Sequence, residues 1–181
     1  ETGYSGDSLD YETADRTVLI PEIGRPSITR TAVQRQPDTR LHCVKSDGTV
    51  ALLVSDPAEN VVCWVDVNTG TANGTDGVIE EVAVLPGTIE DTGYYVVQRT
   101  VDSTQVRYIE KWAQESQAIG GSSNRIADCY LVFNSSIATV SVTGGSVLEG
   151  KTVCAWGSAS SGIDLGSTFV VTGGAFTVGT A

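Results

Sequence analysis

The chain of 181 residues contains no methionine and a single histidine, and 22 acidic residues outnumber its 11 basic ones. Each shortage narrows the range of functions. A net charge of −11 repels phosphate, which argues against wrapping DNA or lying on an anionic membrane. It leaves room for an acidic wall that DNA slides past without sticking. No apolar run approaches the roughly 20 residues of a membrane-spanning helix. With no methionine and Glu1 as first residue, the chain is expected to be a fragment or a processed product.

Catalytic signatures are missing too. The sequence has no phosphate loop, no GxSxG and no HExxH. Cys43, Cys63, Cys129 and Cys154 form no CxxC pair, so a zinc site is not expected. The first three stand inside the apolar runs LHCV, VVCWV and DCYLVF and are expected to be buried free thiols. The lone His42 is next to Cys43, and neighbours in a strand point to opposite faces, so the two do not make a nucleophile and its base. The loop DVNTGTANGTDG offers Asp66, Asn68, Asn73 and Asp76, but Gly77 stands where a calcium loop needs a bidentate glutamate. No catalytic, cofactor-binding or metal-binding residue is assigned, and no cofactor is expected.

What is present points to an all-β protein. Hydrophobic residues make up 40% and charged residues 18%, enough apolar material for a core. Many valines and threonines with 20 glycines favour strands and turns. Residues 1–25 are polar with little periodicity and read as a lead-in segment. Residues 26–115 alternate between strands and tight turns. LHCVKS and TVALLV flank Asp47-Gly48, and TGYYVVQRTV and TQVRYIEKWA flank Asp102-Ser103. A two-residue turn at Asp102-Ser103 sets Arg99 opposite Val106, Val97 opposite Tyr108 and Tyr95 opposite Glu110. Asn-Gly is the usual pair for such a turn, so a distorted turn is expected. Residues 116–127 read as a linker. Residues 128–181, with short alternating runs and Gly-rich turns, read as a small β-barrel or sandwich.

In QVRYIEKWA the side bearing Val106, Tyr108 and Trp112 also carries Glu110. A carboxylate there costs several kcal/mol unless paired, so it is expected to bond an Arg, a Tyr or a backbone amide and to serve architecture. Arg99 shares its face but lies too far along the strand to be its direct partner. Glu80-Glu81 and Glu90-Asp91 each put one member outward. The three tryptophans, Trp64, Trp112 and Trp156, lie in strand-like runs and are expected to be buried. TAVQRQP and VAVLPG open two similar patterns about fifty residues apart, in the range of propeller-blade repeats. Two antiparallel, blade-like sheets make an incomplete propeller, since closure takes roughly 4–8 blades.

QRQPDTRLHCVKSDGTVALL, the Trp of NVVCWVDV, EDTGYYVVQRTV, VRYIEKWA and VLEGKTVCAW follow one another in this order. Together they resemble the central and C-terminal parts of tail nozzle, or tail hub, proteins of short-tailed bacteriophages, also called packaged-DNA stabilization proteins. The resemblance runs from about Ile28 to Ala181. It implies a non-enzymatic virion component: a homo-oligomeric ring below the portal and adaptor that closes the DNA channel and anchors spikes, fibres or a needle. Double-stranded DNA passes through such a ring without specific binding, and no membrane is involved. The C-terminal block is similar to a module labelled a first-catalytic-cysteine half-domain of ubiquitin-activating enzymes; without a nucleotide-binding motif no ubiquitin chemistry follows. The rival reading is an extracellular β-sandwich adhesin or carbohydrate-binding module.

Overall fold

The computed structural model describes residues 2–5, 10–13, 15–69, 77–114, 141–155 and 168–177. They form an all-β structure of antiparallel sheets, and none of the described sheets closes into a barrel. Strands β1 (Thr2–Ser5) and β2 (Asp10–Thr13) pair as a hairpin with Tyr4 opposite Tyr11. The lead-in reading did not foresee it. Each strand is four residues of mostly polar sequence, too short for an alternating apolar signal.

The first large sheet is a four-stranded meander: β3 (Ile28–Gln34), β4 (Thr39–Lys45), β5 (Val50–Asp56) and β6 (Val61–Val67). The second has three strands: β7 (Val78–Leu85), β8 (Thr92–Val101) and β9 (Thr104–Lys111). Turn chemistry sets both registers. Between β4 and β5, Gly48 takes a φ of 82°, the left-handed residue that closes a short hairpin loop. Between β8 and β9, Asp102 and Ser103 take φ of 46° and 62°. Both positive values are what a type I′ turn requires, so the turn is regular without glycine. The expected register follows, with Arg99 opposite Val106 and Tyr95 opposite Glu110.

The two sheets repeat one another in detail. Each opening strand carries a bulge, between Ile28 and Arg30 in β3 and between Ile79 and Glu81 in β7, 51 positions apart. Beyond the bulges, Val44 sits opposite Arg30 as Val96 sits opposite Glu81, and His42 opposite Ala32 as Tyr94 opposite Ala83. The faces can therefore be matched. Val44 looks toward the second sheet, into a core of Val44, Val50, Ile79, Tyr95 and Val97 with Val67, Val82 and Trp112 at its margin. Its equivalent, Val96, is on the side of the second sheet that turns away. The back of the second sheet thus rests on the front of the first, and the stack has a direction.

A second cluster covers the back of the first sheet. Ile23 packs with Cys43 and Ala51, and Ile20, Leu41 and Trp64 join it. The turn segment before β3 is therefore a lid on this face, pinned where Trp64 Nε1 donates to the Arg16 carbonyl at 2.9 Å. Cys43 is buried as expected, but Cys63 is exposed. It sits on β6, an edge strand of its sheet, where none of the described residues covers it. Trp64 and Trp112 are half-buried; Cys129 and Trp156 lie outside the described residues.

The C-terminal block contributes two short ribbons. Strand β10 (Ser141–Val142) pairs with β13 (Phe176–Thr177), and β11 (Thr152–Cys154) pairs with β12 (Thr168–Val170). A Gly173-Gly174 turn with φ of 63° and 71° offers both amides to Glu149, at 2.9 and 2.7 Å. Phe169 and Phe176 stack with centroids 5.3 Å apart. The strand expected in DCYLVF and the linker at 116–127 lie outside the described residues.

Gly48 joins the two sheets as well as turning the chain. Its carbonyl accepts from Ile79 N at 2.9 Å, and a Cβ there would come within 2.5 Å of Val78 Cγ1. Gly48→Ala combines left-handed strain with a steric clash and is expected to cost about 2–3 kcal/mol. Urea unfolding checks this as a lowered midpoint at unchanged slope.

Candidate functional site

Polar side chains buried between sheets must find partners inside the protein. Four such residues meet where the first sheet receives the second: Gln34 at the end of β3, His42 in β4, Asp91 just before β8, and Tyr95 in β8. His42 is 0% exposed. Its Nδ1 lies 2.5 Å from the Tyr95 hydroxyl and its Nε2 lies 3.2 Å from Gln34 Oε1. Gln34 Nε2 donates to the Gln36 carbonyl at 2.8 Å, which leaves Oε1 as an acceptor. Nε2 of the imidazole therefore carries the proton and donates, and Nδ1 accepts from the phenol. Trp112 closes the cluster, with ring centroids 5.9 Å from His42 and 5.7 Å from Tyr95.

Burial and then the Arg40 charge push the imidazole pKa down to about 4. Burial pushes the Tyr95 phenol up. Both groups are thus neutral near pH 7, as a low-dielectric site demands. Arg40 is itself drawn to Asp38, with Nε 2.7 Å from Oδ1, although the angle is too poor for a hydrogen bond.

Asp91 does the backbone's work at the same seam. One carboxylate oxygen accepts from the amides of Arg35 and Gln36 at 2.8 and 3.2 Å, and the other accepts from Gly87 at 3.2 Å. These amides hold its pKa below the usual carboxylate range. The carboxylate thereby ties the turn after β3 to the loop after β7. Periodicity gave no sign of this, because Arg35 and Gln36 stand more than fifty positions away; the only local cue is an acid between a Pro-Gly loop and a strand.

Glu110 finds an arginine, and it is Arg99. The guanidinium grips both carboxylate oxygens, Nη2 to Oε2 at 2.7 Å and Nε to Oε1. Its Nη1 also donates to the Thr69 carbonyl at 3.0 Å. The expectation that Arg99 lies out of reach is overturned. The rows separate the two Cα atoms, but two long side chains lie along the sheet surface and bridge them. Tyr95, directly opposite Glu110, spends its hydroxyl on His42 instead.

The remaining candidates separate. Cys43 belongs to the opposite face of the first sheet, and burial raises its thiol pKa, so it neither meets His42 nor favours the thiolate. Asp66 receives Lys45 Nζ at 2.9 Å; Asn73 and Asp76 lie outside the described residues. Glu80 binds Arg107 through two contacts of 2.7 and 3.0 Å, and Glu81 binds Arg30. The bulge breaks the alternation, so both glutamates reach arginines where one inward and one outward were expected. Among the described residues no cluster of His, Cys, Asp and Glu is arranged to hold a metal ion. What this geometry does chemically is join two sheets through neutral and paired polar groups. No family model matches the chain, and no curated protein matches it.

Two measurements test this account. The unfolded imidazole titrates near 6.5 and the folded one near about 4, so between those values the unfolded chain binds more protons and stability falls as the pH falls. His42→Gln removes that contribution. The stability gap between wild type and His42→Gln is expected to be widest at pH 7 and to narrow by up to about 3 kcal/mol toward pH 4. A gap that stays constant across this range would mean that the fold does not hold His42 neutral. Separately, Glu110→Ala strands a nearly buried guanidinium and is expected to cost about 1–3 kcal/mol. A double-mutant cycle with Arg99→Met should return a coupling above about 0.5 kcal/mol; additivity would remove the pair as a strut.

Proposed function

We propose that the chain is a structural component of the tail of a short-tailed bacteriophage, part of a ring that closes the DNA channel and anchors other tail parts. One observation carries the reading: two antiparallel meanders, phased by the same bulge 51 positions apart, stack front to back. This is how successive propeller blades meet, each presenting to the next the face its predecessor presented to it. The contact of opening strand β7 with β3 and β4 supports it further, since in a propeller the first strands of adjoining blades converge on the axis. In this reading additional sheets complete the propeller.

The buried chemistry suits a part that bears load. His42 and Tyr95 join the two layers, Asp91 ties their loops, and the Arg99–Glu110 pair braces β8 against β9. The charge balance suits a channel component: an excess of 11 negative charges lets the phosphate backbone pass without adhesion. Portal or adaptor on one side, and fibre, spike or needle proteins on the other, are the partners of such a ring.

Cryo-electron microscopy of virions of the encoding phage tests the assignment. The stacked sheets are expected in a ring around the DNA channel below the portal. A particle that lacks the chain, together with a defined saccharide bound on a glycan array, would move the protein to the class of extracellular β-sandwich binding modules.

A further inference from the structure

The first sheet is covered on both faces, by two different means. On the front, the second sheet is bonded as well as packed: Ile79 N donates to the Gly48 carbonyl at 2.9 Å, and Tyr95 meets His42. On the back lies the lid, residues 15–25, none of which belongs to a strand. Side chains hold it down. Ile23, 6% exposed, sits over Cys43 and Ala51, whose short side chains make room for it, and Ile20 joins it beside Leu41 and Trp64.

The lid braces itself. Asp15 Oδ1 accepts from the Thr17 amide and hydroxyl at 2.8 and 2.7 Å. The amides of Ile20, Ile23 and Arg25 donate to the carbonyls of Thr17, Ile20 and Glu22 at 2.9, 3.1 and 2.9 Å. Beyond it the chain is tied to the end of β4, where Ser46 N donates to the Ser27 carbonyl at 2.9 Å and the Ser27 hydroxyl donates to that of Ser46 at 3.0 Å. Bonds inside the lid survive its lifting, and the ladders of β4, β5 and β6 do not pass through it. Lifting it gives up chiefly the burial of two isoleucines and the bond from Trp64 to the Arg16 carbonyl. A segment with so few buried apolar contacts belongs to the low-stability end of a fold.

The lid also covers too little. Ile28, Thr31 and Val33 share the back of β3 and correspond to Ile79, Val82 and Val84 on the back of β7. In the second sheet that strip rests on the first: Ile79 is 2% exposed, and Val82 packs at the margin of the shared core. In the first sheet Ile28 is 46% and Val33 52% exposed. The lid spans the side of Cys43, Ala51 and Trp64 and leaves the strip along β3 in water.

We propose that the lid is an autoinhibitory strap, which opens as one unit about Ser27 while both sheets stay folded and so uncovers the back of the first sheet. The uncovered face is the counterpart of the one by which the second sheet rests on the first. The inference rests on the stacked-sheet reading for what then enters, the front of an adjoining sheet. The opening itself is a property of the isolated chain, so it can fail while the chain is still found in the tail, and hold while it is not.

Alkylation of the purified 181-residue chain with iodoacetamide, followed peptide by peptide by mass spectrometry, tests it. Cys63 is exposed and serves as the internal reference, whereas Cys43 is buried under Ile23 and reacts only when the lid is up. Cys43 is expected to label at least about a hundredfold more slowly than Cys63. Its rate should change less than about twofold on adding about 1 M urea, because lifting a short strap exposes little surface; access through global unfolding would raise it at least about fivefold. Ile23→Asp is expected to leave the lid up. Cys43 then labels within about tenfold of Cys63, while the Ile79 amide, bonded across the front seam, keeps its protection from hydrogen exchange. Wild-type Cys43 as reactive as Cys63, labelling that climbs with urea at the global slope, or an Ile23→Asp chain that loses Ile79 protection along with the lid would each overturn the proposal.

Discussion

A neutral imidazole bonded on both sides fixes where the two sheets meet. His42 leaves water entirely, and its position is tolerable only while Tyr95 from the second sheet and Gln34 from the first hold its two nitrogens. Apolar packing at the same seam, through Val44, Val50, Ile79 and Val97, supplies most of the attraction but has no strong preference among nearby alignments. The hydrogen bonds do. Sliding the second sheet by one row would leave one imidazole nitrogen and a phenol unpaired in the interior, at about 1–3 kcal/mol apiece. Asp91 enforces the same alignment from the loops, and Arg99 from the far end through Thr69.

How far the sequence discloses this depends on the range over which each feature is determined. The β8–β9 register is local: a two-residue turn and a period of two fix it, and the pairing of Tyr95 with Glu110 follows. The inward side of β9 is legible for the same reason, with Tyr108, Glu110 and Trp112 more buried than Arg107, Ile109 and Lys111. Exposure of Cys63 is not set locally. VVCWV has the composition of a core strand, but strand order puts it at the edge of its sheet, and order is settled by packing. The Arg99–Glu110 pair shows a different limit. Counting rows measures the distance between backbones, whereas charged side chains of five or more bonds meet by lying along the surface. The bonds of Asp91 to Arg35 and Gln36 and of His42 to Tyr95 cross the seam between two sheets, so no short window of sequence contains both ends of them. The repeat about fifty residues apart was visible as a pattern; the shared bulge that aligns it residue by residue was not, because a bulge leaves no mark in an apolar period.

The ion pairs keep the acidity of the chain out of its sheets. The chain carries 11 excess negative charges, yet its two large sheets hold most of the described basic residues. Arg30, Arg40, Lys45, Arg99 and Arg107 are each matched to a carboxylate, namely Glu81, Asp38, Asp66, Glu110 and Glu80. Nearly half of the basic residues are thereby committed to neutralising the sheets. Pairing of this kind lets two sheets with many charged side chains pack closely without like charges facing each other across the strands.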